Sequence, residues 1–344
     1  MNKQTTQLEF SKEYTAIIKG VALLLMILHH CLIPSFWNIP LHELNSTIIV
    51  SFGSTCKICV GIFTFMVGYG YAFAAKKDFQ YGLNHIIKLL IPYWVILFIF
   101  TLPVGFKEID FYLFFLNLFG INSQYNWFSW FVAFFIFSMF ILPIITKHIN
   151  NKRVMLTGGG GIILFYSLAV ALHQLCPNYS ENNFIQRLFD CLLQTPCMIL
   201  GYLFASQKWF ECIQIPSKLN NPITAVVLFI IAFLLRNRLA NVLGFNLNFF
   251  YVPLAILAIL VFFNTCRIPY LKSILISIGN NSVYMWFFHA LFFTKITSDF
   301  YQPMVAISNY LWINTVWTII VTFVCAWCLS RLQQYIERKL RFRS

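Results

Sequence analysis

Segments of about twenty apolar residues recur along the whole chain, and a bilayer is the solvent that such segments fit. Within a bilayer every backbone polar group must be satisfied internally, which leaves helices for spans of this length. The expected fold class is therefore all-α: a polytopic transmembrane helical bundle of about ten spans, forming one domain over residues 1–344. Composition agrees, since 59% of residues are hydrophobic and 10% charged, against about 25% charged in a soluble domain. The spacing predicts spans at roughly 14–34, 48–75, 85–104, 127–146, 154–175, 188–206, 222–240, 247–265, 274–296 and 307–331. Phe111 to Phe119 is apolar but too short to cross, and reads as an interfacial or re-entrant piece. The first segment lacks an A-x-A-like cleavage site and reads as a retained helix. No long internal repeat of the secondary-transporter kind is visible.

The chain has 24 Lys and Arg against 11 Asp and Glu, a formal net charge of +13. In a soluble protein that excess points to nucleic acid. In a membrane protein it reflects topology, because cytoplasmic loops collect basic residues. Ten spans put both termini on one side. Of the basic residues, all but Lys57, Lys107, Arg187, Arg236, Arg238 and Lys295 fall on that side. Both termini are expected to be cytoplasmic, with no nucleic-acid partner. The tail "RLQQYIERKLRFRS" reads as a basic amphipathic end resting on anionic membrane lipid.

The stretch "KGVALLLMILHH" places Lys19 and His30 eleven residues apart. On a helix they share a face, about 20° off line and about 16 Å apart along the axis, while His29 points some 80° away. Lys19 reads either as a snorkelling anchor at a helix end or as a point charge for phosphate. His30 reads either as a hydrogen bonder to outer headgroups or as a group that deprotonates a hydroxyl or accepts an acyl group. A long donor with phosphates at one end and a thioester at the other, such as acyl-CoA, fits a line from Lys19 to His30.

Other groups carry two readings each. Cys56 and Cys59 form a C-x-x-C near His29, His30 and Cys31, but ordinary packing is expected there and no metal. "GGGG" at 158–161 lacks the context of a phosphate loop and reads as a kink or close helix contact. Tyr69 and Tyr71 flank Gly70 and serve either packing or a ligand. Trp127 and Trp130 suit an aromatic belt or a sugar face. Arg236 and Arg238 break the charge rule locally. They either snorkel to outer headgroups or grip a diphosphate or acidic sugar.

These segments resemble the acyltransferase family 3 membrane proteins. Lys19 and His30 match the first-helix basic-x10-His spacing. "GIFTFMVGYGYAF" is similar to the second-helix "FFxxSGY" element, with Val67 where serine is usual. "HIIKLLIPYW" carries Lys88, Pro92 and Tyr93, and "YNWFSWFVAFFIF" resembles the aromatic start of the fourth helix. "SIGNNSVYMWFFH" is similar to the late element held by Gly279, Ser282, Trp286 and His289. The resemblance covers the whole chain. It implies about ten helices in the bacterial inner membrane and an acyl-CoA donor, acetyl-CoA as substrate with no cofactor. The implied acceptor is a hydroxyl on a lipid-linked or surface carbohydrate of O-antigen or capsule type.

By that resemblance His30 and Lys19 are catalytic, His30 as general base or transient acyl carrier. Lys19, Lys88 and Ser282 contact the donor, and His289, Tyr69, Trp127, Arg236 and Arg238 the acceptor. Two departures stand out. Ala16 occupies the place of a frequent acidic residue, with Glu13 as the nearest substitute, and Lys19 stands where arginine is common. The rival expectation is a transporter or flippase for an anionic lipid-linked substrate. It is disfavoured by the absence of repeats and of paired broken helices. A glycan polymerase is a third, for which the loops are short.

Overall fold

A computed structural model of the chain describes residues 5–8, 10–149, 154–243, 247–266 and 268–341. Of the basic residues in the charge count, Lys3, Lys152, Arg153, Arg267 and Arg343 lie outside the described residues, as does the side chain of Arg341. The chain is almost wholly helical. In order it forms α1 (Lys12–Cys31), α2 (Thr47–Thr55), α3 (Ile58–Ala72), α4 (Phe79–Ile96), α5 (Trp130–His148), α6 (Val154–Leu175), α7 (Asn183–Ser206), α8 (Pro222–Leu243), α9 (Asn248–Thr265), α10 (Pro269–Asn280), α11 (Ser282–Phe293) and α12 (Leu311–Arg341). Shorter turns connect them. Nine helices among the described residues are long and apolar enough to cross a membrane.

Helix starts follow from local sequence. The Ser11 side chain accepts from the Tyr14 N–H, Asp78 from Tyr81, and Asn182 from Phe184 and Ile185, each satisfying N–H groups that a helix start leaves orphaned. The segment at Phe111–Asn117 is a short helix with Phe111, Tyr112 and Phe115 exposed, as an interfacial piece would be.

Two expected spans are not continuous. The second is interrupted at Cys56–Lys57, where the N–H groups of Lys57, Cys59 and Val60 reach back three residues and tighten the turn. The ninth is two helices, α10 and α11, parted at Asn281. That residue's backbone N–H and side-chain amide both turn back to the Ser277 carbonyl. The first of these two spans still runs as one helical stretch, Thr47–Ala72, long enough to cross a membrane. The last span does not end near Arg331, as α12 runs unbroken to Arg341.

The all-α expectation misses one small feature. β1 (Thr5–Gln7) pairs antiparallel with β2 (Gln214–Pro216), in the turn between α7 and α8. Glu13 pairs with Lys272 at 2.5 Å, and the Tyr284 hydroxyl donates to Gln333 at 2.7 Å. The start of α1 thus lies beside α10, and the later turns of α12 beside the start of α11.

Close packing fixes the depth at which α1 meets α10. A Cβ on Gly279 would sit 2.0 Å from the Ala16 carbonyl oxygen, and one on Gly20 2.3 Å from that of Leu275. The two backbones touch through four positions, Ala16, Gly20, Leu275 and Gly279, a small-residue contact of the kind that holds membrane helices. Gly68 and Gly201 do the same for α3 against α7. The "GGGG" run lies in a continuous helix. Gly158 faces Leu203, while Gly159 and Gly160 face open space.

Candidate functional site

The contact of α1 with α10 sets α11 beside the upper half of α1, and two cavities open along the pair. The smaller, about 390 Å³, lies toward the chain termini and is lined by Lys19, Lys88, His85, Tyr81, Gly70 and Ser282, among others. The larger, about 660 Å³, lies toward the opposite end and is lined by His29, His30, Lys57, Trp127, Phe128, Arg187, Asp190, Gln194 and Asn248, among others. Trp286 belongs to both walls. Its ring packs on Phe63 at 4.7 Å and Phe131 at 4.5 Å between centroids, so three aromatic side chains form a septum. The Trp286 indole N–H is buried there without a partner.

At the head of the larger cavity two buried imidazoles meet. His289 Nδ1 lies 3.1 Å from the Met285 carbonyl, and His289 Nε2 lies 3.2 Å from His30 Nδ1. A carbonyl only accepts, so the His289 proton sits on Nδ1 and its Nε2 accepts. His30 then donates from Nδ1, and its Nε2 holds the free lone pair on the cavity wall. Phe128 clamps both rings, 3.9 Å from His30 and parallel to His289 at 4.9 Å. Phe128 is held in turn. The Asn126 side-chain amide donates to the Phe287 carbonyl, and the Trp127 N–H donates to Thr294 Oγ1. His29 is used differently, its Nδ1–H donating to the Gly53 carbonyl at 2.8 Å.

The floor of the larger cavity is an ordered amide network. Tyr251 donates to Asn248 Oδ1 at 2.6 Å, and Asn248 Nδ2 donates to Gln194 Oε1 at 2.7 Å. That fixes the orientation of Gln194 and turns its own N–H pair outward as donors. Arg187 and Asp190, one turn apart on α7, form an ion pair at 2.7 Å. Lys57 projects from the break between α2 and α3.

The sequence-derived candidates fall into three sets. Lys19, Lys88 and Ser282 meet at the smaller cavity, and His30, Trp127 and the buried His289 at or behind the larger one. Arg236 lines neither cavity. It does not snorkel either, being 6% exposed and close enough to Lys57 to repel it. Tyr69 and Arg238 line neither cavity. Tyr69 is buried in an aromatic cluster with Phe10 at 4.1 Å and Phe65 at 6.1 Å, and Arg238 is exposed away from both cavities. Glu13 does not stand in as the acidic partner of Lys19, because Lys272 holds it.

Sequence reasoning missed Phe128, Lys57, Arg187, Asp190, Gln194 and Asn248. Arg187 and Lys57 carried a signal, as cations against the charge rule. Gln194 and Asn248 carried a weaker one, as amides inside apolar spans. Among the described residues no group of three or more His, Cys, Asp or Glu is placed to hold a metal.

The arrangement offers a positively lined pocket at one end, an imidazole nitrogen with a free lone pair at the other and a thin aromatic partition between, along one helix pair. Comparisons with the curated proteins and with the solved structures return no match. The family comparison does: the acyltransferase domain of family 3 matches residues 14–331, nearly the whole chain, and this protein belongs to that family of membrane acyltransferases.

Proposed function

We propose that the protein is a bacterial inner-membrane O-acyltransferase moving an acetyl group from acetyl-CoA to a hydroxyl of a surface or lipid-linked glycan. The observation that carries the reading is the free His30 Nε2 on the larger cavity, with its other nitrogen committed to His289. The acceptor hydroxyl donates to His30 Nε2 and attacks the thioester carbonyl. His30 takes the proton, the tetrahedral intermediate expels the CoA thiolate, and His30 returns the proton to sulfur. Products are the O-acyl ester and free CoA. General base help of this kind is worth about 10²–10⁴ in rate.

Lys19 and Lys88, with Ser282 beside them, serve the donor phosphates at the smaller cavity. The charge count supports placing that cavity on the cytoplasmic side, where acetyl-CoA is made. Trp127 and the Gln194 amide suit a sugar in the larger cavity. The broken spans fit a transporter as well, so the weight against that reading rests on the family match and on the His30 geometry.

Mass spectrometry of surface glycans tests the reading, in cells lacking the protein and restored with wild type or His30→Ala at equal membrane abundance. An acetyl-sized increment restored by wild type alone supports it. Full restoration by His30→Ala removes His30 from the chemistry. No acyl difference with wild type moves the transporter ahead, and an acyl-labelled protein lost in His30→Ala replaces the general-base step with acyl-histidine.

A further inference from the structure

Six basic residues run against the topological charge rule, and three of them, Lys57, Arg187 and Lys295, line the larger cavity. A fourth, Arg236, is buried behind Lys57. Chance placement of outer cations would scatter them over loops. Here they converge on one hollow from three separate segments of the chain.

The cavity lacks the acid to balance them. Its one lining carboxylate is Asp190, already paired with Arg187. Among the described residues neither Lys57 nor Lys295 has a carboxylate within 4 Å. The lining therefore carries an excess of two positive charges, histidines aside. The Arg187 Nε–H is buried without a partner. Arg187 is largely buried while Lys57 and Lys295 are exposed, and an anion entering the cavity gains charge-assisted hydrogen bonds from them. Neutral sugar hydroxyls need only the amides and aromatic faces already present. They do not explain the cations.

We propose that the acceptor carries an acidic group, a phosphate or a carboxylate, that Lys57 and Arg187 hold in the larger cavity while a nearby hydroxyl meets His30. The proposal rests on the reading of the larger cavity as the acceptor site. Lys57 is placed for this by the helix break, which turns its side chain out of the helix packing. Lys295 closes the opposite wall from the turn after α11.

The test is a binding titration on purified protein in detergent, with no acyl donor present, read by tryptophan fluorescence, since Trp127, Trp130 and Trp286 line the cavity. Probes are glucose 1-phosphate, glucuronate, glucose and, in a separate arm, phosphatidylglycerol. The expected result is saturable binding of the two sugar anions at millimolar concentration and none of glucose. Lys57→Gln is expected to weaken anion binding about tenfold or more. Lys57→Arg is expected to retain it, and Lys107→Gln, a cation of the same side away from the cavity, to leave it unchanged. Glucose binding as tightly as the anions, indifference to Lys57→Gln, or no saturable anion binding overturns the proposal. Saturation by phosphatidylglycerol alone makes the cavity a lipid-headgroup site and also overturns it. Because no acyl donor is present, anion binding that persists where cells show no acyl transfer refutes the transferase and leaves the anion site standing.

Discussion

His289 Nε2 lies 3.2 Å from His30 Nδ1, in a pair of imidazoles contributed by helices 259 residues apart in sequence. One ring is buried completely and acts on the other through its proton position, so the two are expected to fail in different ways. His30→Ala should lower acyl transfer by about 10²–10⁴. His289→Ala leaves the buried His30 Nδ1–H without its acceptor, at about 1–3 kcal/mol, and should lower kcat about five- to a hundredfold with little change in the donor KM. Kinetics on reconstituted protein checks both. Equal losses in the two variants would make His289 a participant in proton transfer and not a positioning residue.

Lys19 lines the smaller cavity with no ion-pair partner among the described residues. Lys19→Gln is expected to raise the KM for acetyl-CoA about tenfold or more with kcat nearly kept, because a phosphate contact far from the carbonyl binds ground and transition states alike. Lys19→Arg should restore most of the affinity. A fall in kcat at unchanged KM would place Lys19 in the chemistry.

Trp286 sets the thickness of the septum between the cavities. Trp286→Leu trades a bulky ring for a smaller side chain and should widen the passage. Competition between acetyl-CoA and hexanoyl-CoA is expected to shift toward the longer chain by about tenfold. An unchanged ratio would mean that chain length is read elsewhere.

Gly279 has no room for a side chain against Ala16. Gly279→Leu must push α10 from α1, at a cost of about 1–3 kcal/mol or more. It should lower the thermal stability of the detergent-solubilised protein and reduce transfer as His289 withdraws from His30. Gly70→Ala, where nothing lies within 4 Å of the new Cβ, is the control expected to leave stability unchanged.

Much of this is legible in the sequence for a physical reason: bilayer thickness imposes one length on every span, and helical periodicity puts Lys19 and His30 on one face. The pairing of His30 with His289 was not legible, because it depends on which helices lie side by side. Phe128 was passed over between Trp127 and Trp130, since aromatic residues at a span end serve the membrane belt by default. Lys57 stood out only as a cation against the charge rule, and nothing in the sequence placed it beside Arg187. The break that aims Lys57 into the cavity has no Pro or Gly to announce it. The packing of Tyr69 was not legible either, because Phe10 and Phe210 reach its ring from distant parts of the chain, contacts that no local pattern encodes.

Trp286 is a wall of two rooms at once, and that has a thermodynamic corollary. A ligand on one side that shifts the indole changes the shape offered to the other, and the change must be repaid in equal measure when the order of binding is reversed. Under the proposed function, donor and acceptor affinities are linked through this single side chain. Whatever free energy a ligand in the smaller cavity spends on moving that ring sets the factor by which a ligand in the larger one, bound first, alters its grip.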